Sequence, residues 1–122
     1  MKQVLLVEDD HWLAESYQSI LEKAGFAVLV VANGYEAMAV VDEKPVDILL
    51  VDFMLEGHTA VGLLHELQTY DDTRRIPVVI CSALNDRLLE VDRLHSYGVV
   101  AVLNKATLTP EQLVLTLREI GP

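Results

Sequence analysis

The sequence has almost no cysteine and no long apolar run. Small secreted proteins are often rich in cysteine, and membrane-spanning proteins contain long apolar runs, so the chain resembles neither class. Cys81 is the single cysteine among 122 residues, so no disulfide can form within the chain. No run approaches the ~18 apolar residues that a membrane-spanning helix needs. The N-terminus turns acidic at Glu8, unlike a signal peptide. We therefore expect a protein of the reducing cytoplasm, without a membrane segment.

Basic residues are also scarce. The chain has 9 Lys and Arg residues against 19 Asp and Glu residues, which gives a formal net charge of −10. This balance argues against direct binding to nucleic acid or to an anionic membrane, since both attract basic proteins. It is compatible with a divalent cation or with a protein partner that carries a basic face. The composition is that of a globular chain, and 122 residues suit one domain spanning 1–122.

Five short apolar runs alternate with amphipathic segments along the chain. The run Ile48–Val51 is too short for a helix and lies between Pro45 and Gly57, which indicates a strand buried on both faces. The alternation predicts an α/β fold of the (βα)₅ type, in which helices cover both faces of a parallel five-stranded sheet. The predicted strands are Val4–Val7, Phe26–Val31, Val46–Val51, Pro77–Cys81 and Val99–Leu103.

Capping residues indicate where the helices start. Thr109 is followed by a proline at the first helical position and by Gln112 at the third, a strong start signal. Asn33 has Glu36 three residues later, which is a similar signal. The other predicted caps are Asp9 or Asp10 for the first helix and Asn85 for the fourth, with Leu88, Val91 and Leu94 or His95 facing inward in the fourth.

Polar side chains follow four of the five predicted strands. Glu8 and Asp9 follow the first strand and Asp52 follows the third. Ser82 follows the fourth strand, and Lys105 lies just after the fifth. The carboxyl ends of parallel strands meet at one edge of a sheet, where open α/β sheets bind their ligands. If the first, third, fourth and fifth strands are neighbours in the sheet, these groups converge on one pocket.

The residue types at this pocket indicate a particular chemistry. Carboxylates held about 4 Å apart repel by roughly 4 kcal/mol per pair at an effective dielectric constant near 20. A hard divalent cation would offset this repulsion, and oxygen-only ligands favour Mg²⁺ or Mn²⁺ over zinc. A carboxylate beside a cation, a lysine and a hydroxyl is placed to attack phosphorus while positive charge stabilises the transferring oxygens.

Over its whole length, the chain resembles the receiver domain of two-component response regulators, the family that includes chemotaxis regulators. The matching motifs are Val-Glu-Asp-Asp after the first strand, Asp-Ile-Leu-Leu-Val-Asp-Phe-Met-Leu at the third, Ser82-Ala83 after the fourth and Lys105 after the fifth. The resemblance implies a flavodoxin-like sheet with strand order 2-1-3-4-5. This order brings the first and third strand ends together.

The same resemblance implies a role for each acidic residue. Asp52 corresponds to the phospho-acceptor. Asp9 corresponds to a direct Mg²⁺ ligand, with Asp52 and the backbone carbonyl of Met54 completing the protein ligands. Glu8 would hold a metal-bound water. An alternative register makes Asp9 and Asp10 the acidic pair; Glu8 and Asp9 are preferred because they follow the apolar strand directly.

Ser82 and Lys105 complete the implied site. Ser82 takes the place of the hydroxyl residue that reaches toward the phosphoryl group. Lys105 takes the place of the lysine that pairs with that group. The expected cofactor is Mg²⁺, with Mn²⁺ as the alternative.

Four positions depart from the family pattern. Glu56 stands where proline is usual and Ala60 where glycine is usual, so the loop after the third strand is expected to follow a different path. Val102 occupies the position of the aromatic residue that swings on activation, so the common aromatic switch is absent. Ala106 follows Lys105 in place of a proline.

The sequence supports a signalling switch above two other functions. A sensor histidine kinase or a histidine phosphotransfer protein would phosphorylate Asp52 and shift the chain toward a second conformation. A second copy of the chain is a further candidate partner. A phosphorylation-independent interaction module is the alternative, favoured by Val102 and opposed by the retained pocket residues. An enzyme is not expected, because Glu8-Asp9-Asp10 would repel a flavin phosphate and no substrate-capping insertion is visible. We expect no effector domain within these 122 residues, so both a stand-alone receiver and part of a longer regulator fit the sequence.

Overall fold

A computed structural model describes residues 1–55, 58–83 and 91–120. The strands are β1 (Gln3–Val7), β2 (Ala27–Val31), β3 (Ile48–Asp52), β4 (Met54–Leu55), β5 (His58–Thr59), β6 (Val78–Ser82) and β7 (Val99–Asn104). The helices are α1 (His11–Lys23), α2 (Gly34–Glu43), α3 (Val61–Thr69), α4 (Val91–His95) and α5 (Pro110–Glu119). Within the described ranges, no helix is both long enough and apolar enough to cross a bilayer.

The central sheet is parallel throughout. Its five strands lie in the order β2-β1-β3-β6-β7, and every neighbouring pair is parallel. Counted along the chain without the short strands β4 and β5, this is the order 2-1-3-4-5. The predicted fold class and strand order are therefore confirmed.

Both faces of the central strands are buried, because successive side chains of a strand point to opposite faces. Leu5 and Val7 of β1 pack in a cluster with residues of α2, α3 and α4. Val4 and Leu6 pack on the other face with residues of α1 and α5. The apolar run of β1 thus supplies two cores, and the helices form the outer layers, as the alternating pattern predicts.

The helix starts follow the predicted capping residues. Asp10, rather than Asp9, caps α1 by accepting a backbone N–H of the first turn. Thr109 and Gln112 form a complete capping box at α5. The Asn33 side chain accepts from the backbone N–H of Glu36 at 2.9 Å. The Glu36 carboxylate reaches one residue beyond the capping position, to the N–H of Ala32 at 2.9 Å.

The predictions for the fourth helix are tested only in part. The predicted cap Asn85 and the inward residue Leu88 lie outside the described residues, as does the side chain of Val91. Of the two alternatives at the end of this helix, Leu94 is buried and His95 is exposed. The leucine is therefore the inward residue there.

The segment after β3 is a short hairpin, where the sequence predicts only a loop after the third strand. Met54 of β4 pairs with Thr59 of β5 in antiparallel register. The N–H of Ala60 donates to the carbonyl of Phe53 at 2.8 Å, which closes the hairpin. Ala60 has φ −72° and ψ −5°, a conformation open to any residue, so glycine is not needed there. Glu56 lies outside the described residues.

One extra residue interrupts the pairing of β7 with β6. Val78 pairs with Val99, but Val79 pairs with Ala101, so Val100 has no opposite residue and is 50% exposed. Val99 packs on the face that α3 and α4 cover, whereas Ala101 packs on the opposite face. This bulge therefore reverses the faces to which the later residues of β7 point.

Candidate functional site

The strand register brings the predicted polar residues to one edge of the sheet. Val7 pairs with Val51, so Glu8 and Asp52 leave two adjacent strands at the same level. Asp52 itself ends β3 and pairs with Cys81, one residue before Ser82. The predicted strand Val46–Val51 in fact starts two residues later and includes Asp52 as its last residue. A β-strand end holds its side chains more firmly than a loop does.

Three carboxylates form a cluster at this edge. One oxygen each of Glu8, Asp9 and Asp52 lies within 4.8 Å of the others. Glu8 and Asp52 are only 3% and 8% exposed, and Asp9 is half-buried. The arrangement requires compensating positive charge, because each such pair repels by a few kcal/mol, roughly 4 at an effective dielectric constant near 20.

Lys105 provides part of that charge. Its Nζ donates to Asp52 Oδ2 at 2.7 Å and to Glu8 Oε1 at 3.0 Å. Only 19% of the lysine side chain is exposed, so both ion pairs are largely shielded from water. The backbone N–H of Lys105 donates to the carbonyl of Ser82 at 3.0 Å, which extends the pairing of β7 with β6. The lysine is thus held at both its backbone and its ammonium group.

Asp10 lies apart from the carboxylate cluster. It is exposed, and its Oδ1 accepts the backbone N–H of Leu13 at 3.1 Å. Its own backbone N–H donates to Glu8 Oε2 at 3.2 Å. Of the two registers left open by the sequence, the geometry groups Glu8 with Asp9, while Asp10 serves helix α1.

The residues beside Asp52 differ in exposure. The backbone N–H of Met54 donates to Asp52 Oδ1 at 3.3 Å, while the methionine side chain is 43% exposed. Ser82 is buried at the end of β6. Cys81 is buried, and burial raises the pKa of its thiol to about 12. The cysteine is therefore a neutral core residue at physiological pH, as its position in an apolar run predicts.

Burial changes the acidity of the two ion-paired groups around Asp52. Burial raises the pKa of Glu8 to about 7, and the charge of Asp52 adds to this effect, against hydrogen bonds from Lys105 and the Asp10 backbone. Burial lowers the pKa of Lys105, but its hydrogen bonds with Asp52 and Glu8 raise it by more, so it lies above the ordinary lysine value. The ammonium therefore stays charged over the whole range in which Glu8 titrates.

The raised pKa of Glu8 gives a pH-dependent stability. Folding favours the protonated form of Glu8. The contribution of this glutamate to the free energy of unfolding is therefore complete below about pH 4.5 and is lost as the pH rises through about 7. We expect Glu8→Gln to gain stability relative to the wild-type protein between pH 5 and pH 8 in metal-free buffer. Urea unfolding at both pH values measures the difference. If the unfolding free energies of Glu8→Gln and the wild-type protein differ by the same amount at pH 5 and pH 8, the expectation is contradicted. Glu15→Gln, on the exposed side of α1, controls for the loss of one charge.

The donor set suits a small hard cation. All side-chain ligands in the cluster are carboxylate oxygens, with no histidine or cysteine among the three clustered residues. Mg²⁺ prefers such oxygen ligands, and one or two carboxylates are typical of its protein sites. Asp9, Asp52 and Glu8 are therefore the residues that would hold the ion, directly or through water.

Comparisons with known proteins agree with this geometry. Residues 4–118 match the family model described as the response regulator receiver domain. The transcriptional regulatory protein CpxR of Klebsiella pneumoniae is 36% identical over 94 residues, which cover 77% of this chain and 38% of that protein. The phosphate regulon regulatory protein PhoB of Pseudomonas aeruginosa is 28% identical over 98% of this chain and 51% of its own length. The chain thus spans about half of the length of these relatives or less.

Solved structures show the same fold. A sensor protein from Polaromonas superposes with a TM-score of 0.87 at 28% identity, covering 98% of this chain and 94% of its own. The chemotaxis protein CheY4 of Vibrio cholerae superposes with a TM-score of 0.89 at 21% identity, covering 99% of both chains. The fold, the edge at which the acidic residues meet and the family match agree: the chain belongs to the family of response regulator receiver domains.

Proposed function

We propose that this receiver domain accepts a phosphoryl group on Asp52 from a phosphohistidine, in a reaction that depends on Mg²⁺. The observation that carries the proposal is the contact of Lys105 Nζ with Asp52 Oδ2, 2.7 Å apart, inside a cluster with Glu8 and Asp9. The donor would be a sensor histidine kinase or a histidine phosphotransfer protein. A receiver of this kind is a signalling module, and its output is a change of conformation.

The residues have separate parts in this transfer. An oxygen of Asp52 forms the new bond to phosphorus as the bond between phosphorus and the donor's histidine nitrogen breaks, and the histidine takes up a proton. Lys105, already in contact with the acceptor carboxylate, is placed to donate to the oxygens of the incoming group. Ser82, at the neighbouring strand end, would donate a hydrogen bond from its hydroxyl to the same group. Bound Mg²⁺ would neutralise negative charge on the carboxylates and the phosphoryl oxygens.

The negative charges of Glu8 and Asp9 make phosphoryl transfer to Asp52 depend on a bound metal ion. Without a cation, a dianionic phosphoryl group would meet three carboxylates and one ammonium, so repulsion dominates. A divalent ion held by Asp9 and Asp52, with Glu8 holding a metal-bound water, would make the same approach favourable. The arrangement therefore supports a strict requirement for the ion.

The proposal is tested on the unmodified protein with a small phosphodonor. Incubation with acetyl phosphate and Mg²⁺ should add one phosphoryl group, measured by intact mass, and chelation of the metal should prevent it. Tandem mass spectrometry after borohydride reduction should place the group on Asp52. Modification elsewhere, or at an equal rate without divalent metal, contradicts the proposal.

A phosphorylation-independent interaction module is the second candidate. The observation that favours it is Val102, a half-buried aliphatic residue that packs against the core face covered by α2 and α3. It leaves no aromatic side chain at this position to report the state of the pocket. Partner binding that ignores both acetyl phosphate and Mg²⁺ would support this candidate over the first.

A further inference from the structure

The turn that carries Lys105 is closed by one residue. The side-chain Oδ1 of Asn104 accepts the backbone N–H of Ala106 at 2.8 Å. The backbone carbonyl of Asn104 accepts the N–H of Thr107 at 3.2 Å. The N–H of Lys105 itself donates to the carbonyl of Ser82. Three consecutive amides, from 105 to 107, are therefore held, and Asn104 holds two of them.

This turn decides where the ammonium of Lys105 can reach. A lysine side chain has four rotatable bonds and loses up to about 2 kcal/mol of rotamer entropy when it is held in one place. Its Nζ nevertheless makes two short contacts, with Asp52 and with Glu8. Both contacts require the backbone at 105 to point the side chain back toward β1 and β3. A turn closed by an asparagine oxygen supplies that direction without using any pocket residue.

We propose that Asn104 is the positioning residue of this site: its side-chain oxygen, by capturing the N–H of Ala106, aims Lys105 at Asp52 and Glu8. Asn104 is exposed and contributes no group to the pocket. The bond also requires a residue with a backbone N–H at 106, which alanine has and proline lacks. The asparagine thus restrains the turn by a hydrogen bond where a proline would restrain it through its ring. Its effect on phosphoryl transfer rests on the proposed function; its effect on Lys105 does not.

The first test observes the lysine directly. A lysine ammonium gives a ¹H–¹⁵N signal only when hydrogen bonds slow the exchange of its protons with water. We expect this signal for Lys105 in the unmodified, metal-free protein, assigned by its absence from Lys105→Met. Asn104→Ala should broaden or remove it, and Asn104→Asp, which keeps an acceptor oxygen at the same position, should restore it. An unchanged signal in Asn104→Ala overturns the proposal.

A matched control separates positioning from a general loss of stability. Asn33 accepts the same kind of bond, from the N–H of Glu36 to its Oδ1 at 2.9 Å, but it follows β2, which is the outer strand on the opposite side of the sheet from β7. Asn33→Ala should lower stability and leave the Lys105 signal intact. A loss of the signal in both alanine variants assigns the effect to unfolding and contradicts the role of Asn104.

The second test measures the consequence for the reaction. Asn104→Ala should slow modification by acetyl phosphate about threefold to tenfold, which corresponds to the typical free-energy contribution of one neutral hydrogen bond. The Mg²⁺ affinity should be unchanged. In a Lys105→Met background the same substitution should have no further effect. If the ammonium signal responds as expected while no variant, including the unmodified protein, is phosphorylated, the positioning role stands and the phosphoacceptor function fails.

Discussion

Replacement of Asp52 with asparagine is expected to abolish phosphorylation by acetyl phosphate. The amide keeps the size of the side chain and its place at the end of β3, but it is a far weaker nucleophile than a carboxylate. It also removes one of the three negative charges in the cluster. We therefore expect Mg²⁺ affinity to fall as well, by about tenfold or more, since the site would lose one of the carboxylates that attract a divalent ion.

Intact mass after incubation with acetyl phosphate and Mg²⁺ measures the first effect, and isothermal titration calorimetry measures the second. Asp42→Asn is the matched control, because Asp42 lies on the exposed side of α2 and its substitution removes one charge. The control should be phosphorylated like the unmodified protein. Phosphorylation of Asp52→Asn to the same level as the control would contradict the assignment of Asp52 as acceptor.

Replacement of Lys105 with methionine is expected to destabilise the metal-free protein strongly. It leaves two carboxylates, Glu8 and Asp52, facing each other with side chains only 1% and 10% exposed. Removal of one partner from a buried ion pair costs about 3 kcal/mol or more of unfolding free energy. Above pH 7, where the glutamate is charged, the cost should be largest. Urea unfolding in chelator at pH 8 and pH 6 measures it.

Divalent metal should recover part of this loss, because a bound cation replaces the missing ammonium as the counter-charge. Phosphorylation by acetyl phosphate should nevertheless remain at least ~100-fold slower, as is typical when a group that stabilises developing charge is removed. Lys44→Met, which changes an exposed lysine after α2, should affect neither property. If Lys105→Met and Lys44→Met had equal stability in chelator, the internal ion pairs would not contribute to folding.

The sequence was most informative where local rules coincide with the global fold. The five strands of the main sheet follow from short apolar runs that need two covered faces, whereas their order came from the resemblance to the receiver family. The caps at Asn33 and Thr109 follow from side chains that satisfy the free N–H groups of a first turn. Convergence of Glu8, Asp52 and Lys105 follows from parallel strands sharing one edge once the strand order is given, and it requires no knowledge of side-chain conformation.

The features that the sequence did not predict lack such a local signal. The β4–β5 hairpin has strands of two residues each, too short to show any alternation of polar and apolar residues. The contact of Lys105 with Glu8 depends on a flexible side chain choosing between neighbours. The Asn104 bond lies in an exposed turn, where asparagine is common.

Val100, the unpaired residue in β7, determines to which face of the sheet each later residue points, up to Lys105. With Val100 inserted, Ala101 and Leu103 pack beside α1 and α5, while Val102 faces the other core. Without it, each of these side chains would change sides, and the residue at 105 would leave the strand facing the wrong layer. Every residue of Val99–Leu103 is apolar, so the segment has no alternation of polar and apolar residues that would fix which face each side chain takes. The direction in which the Lys105 side chain points toward Asp52 therefore depends on the bulge at Val100, five residues earlier in the chain.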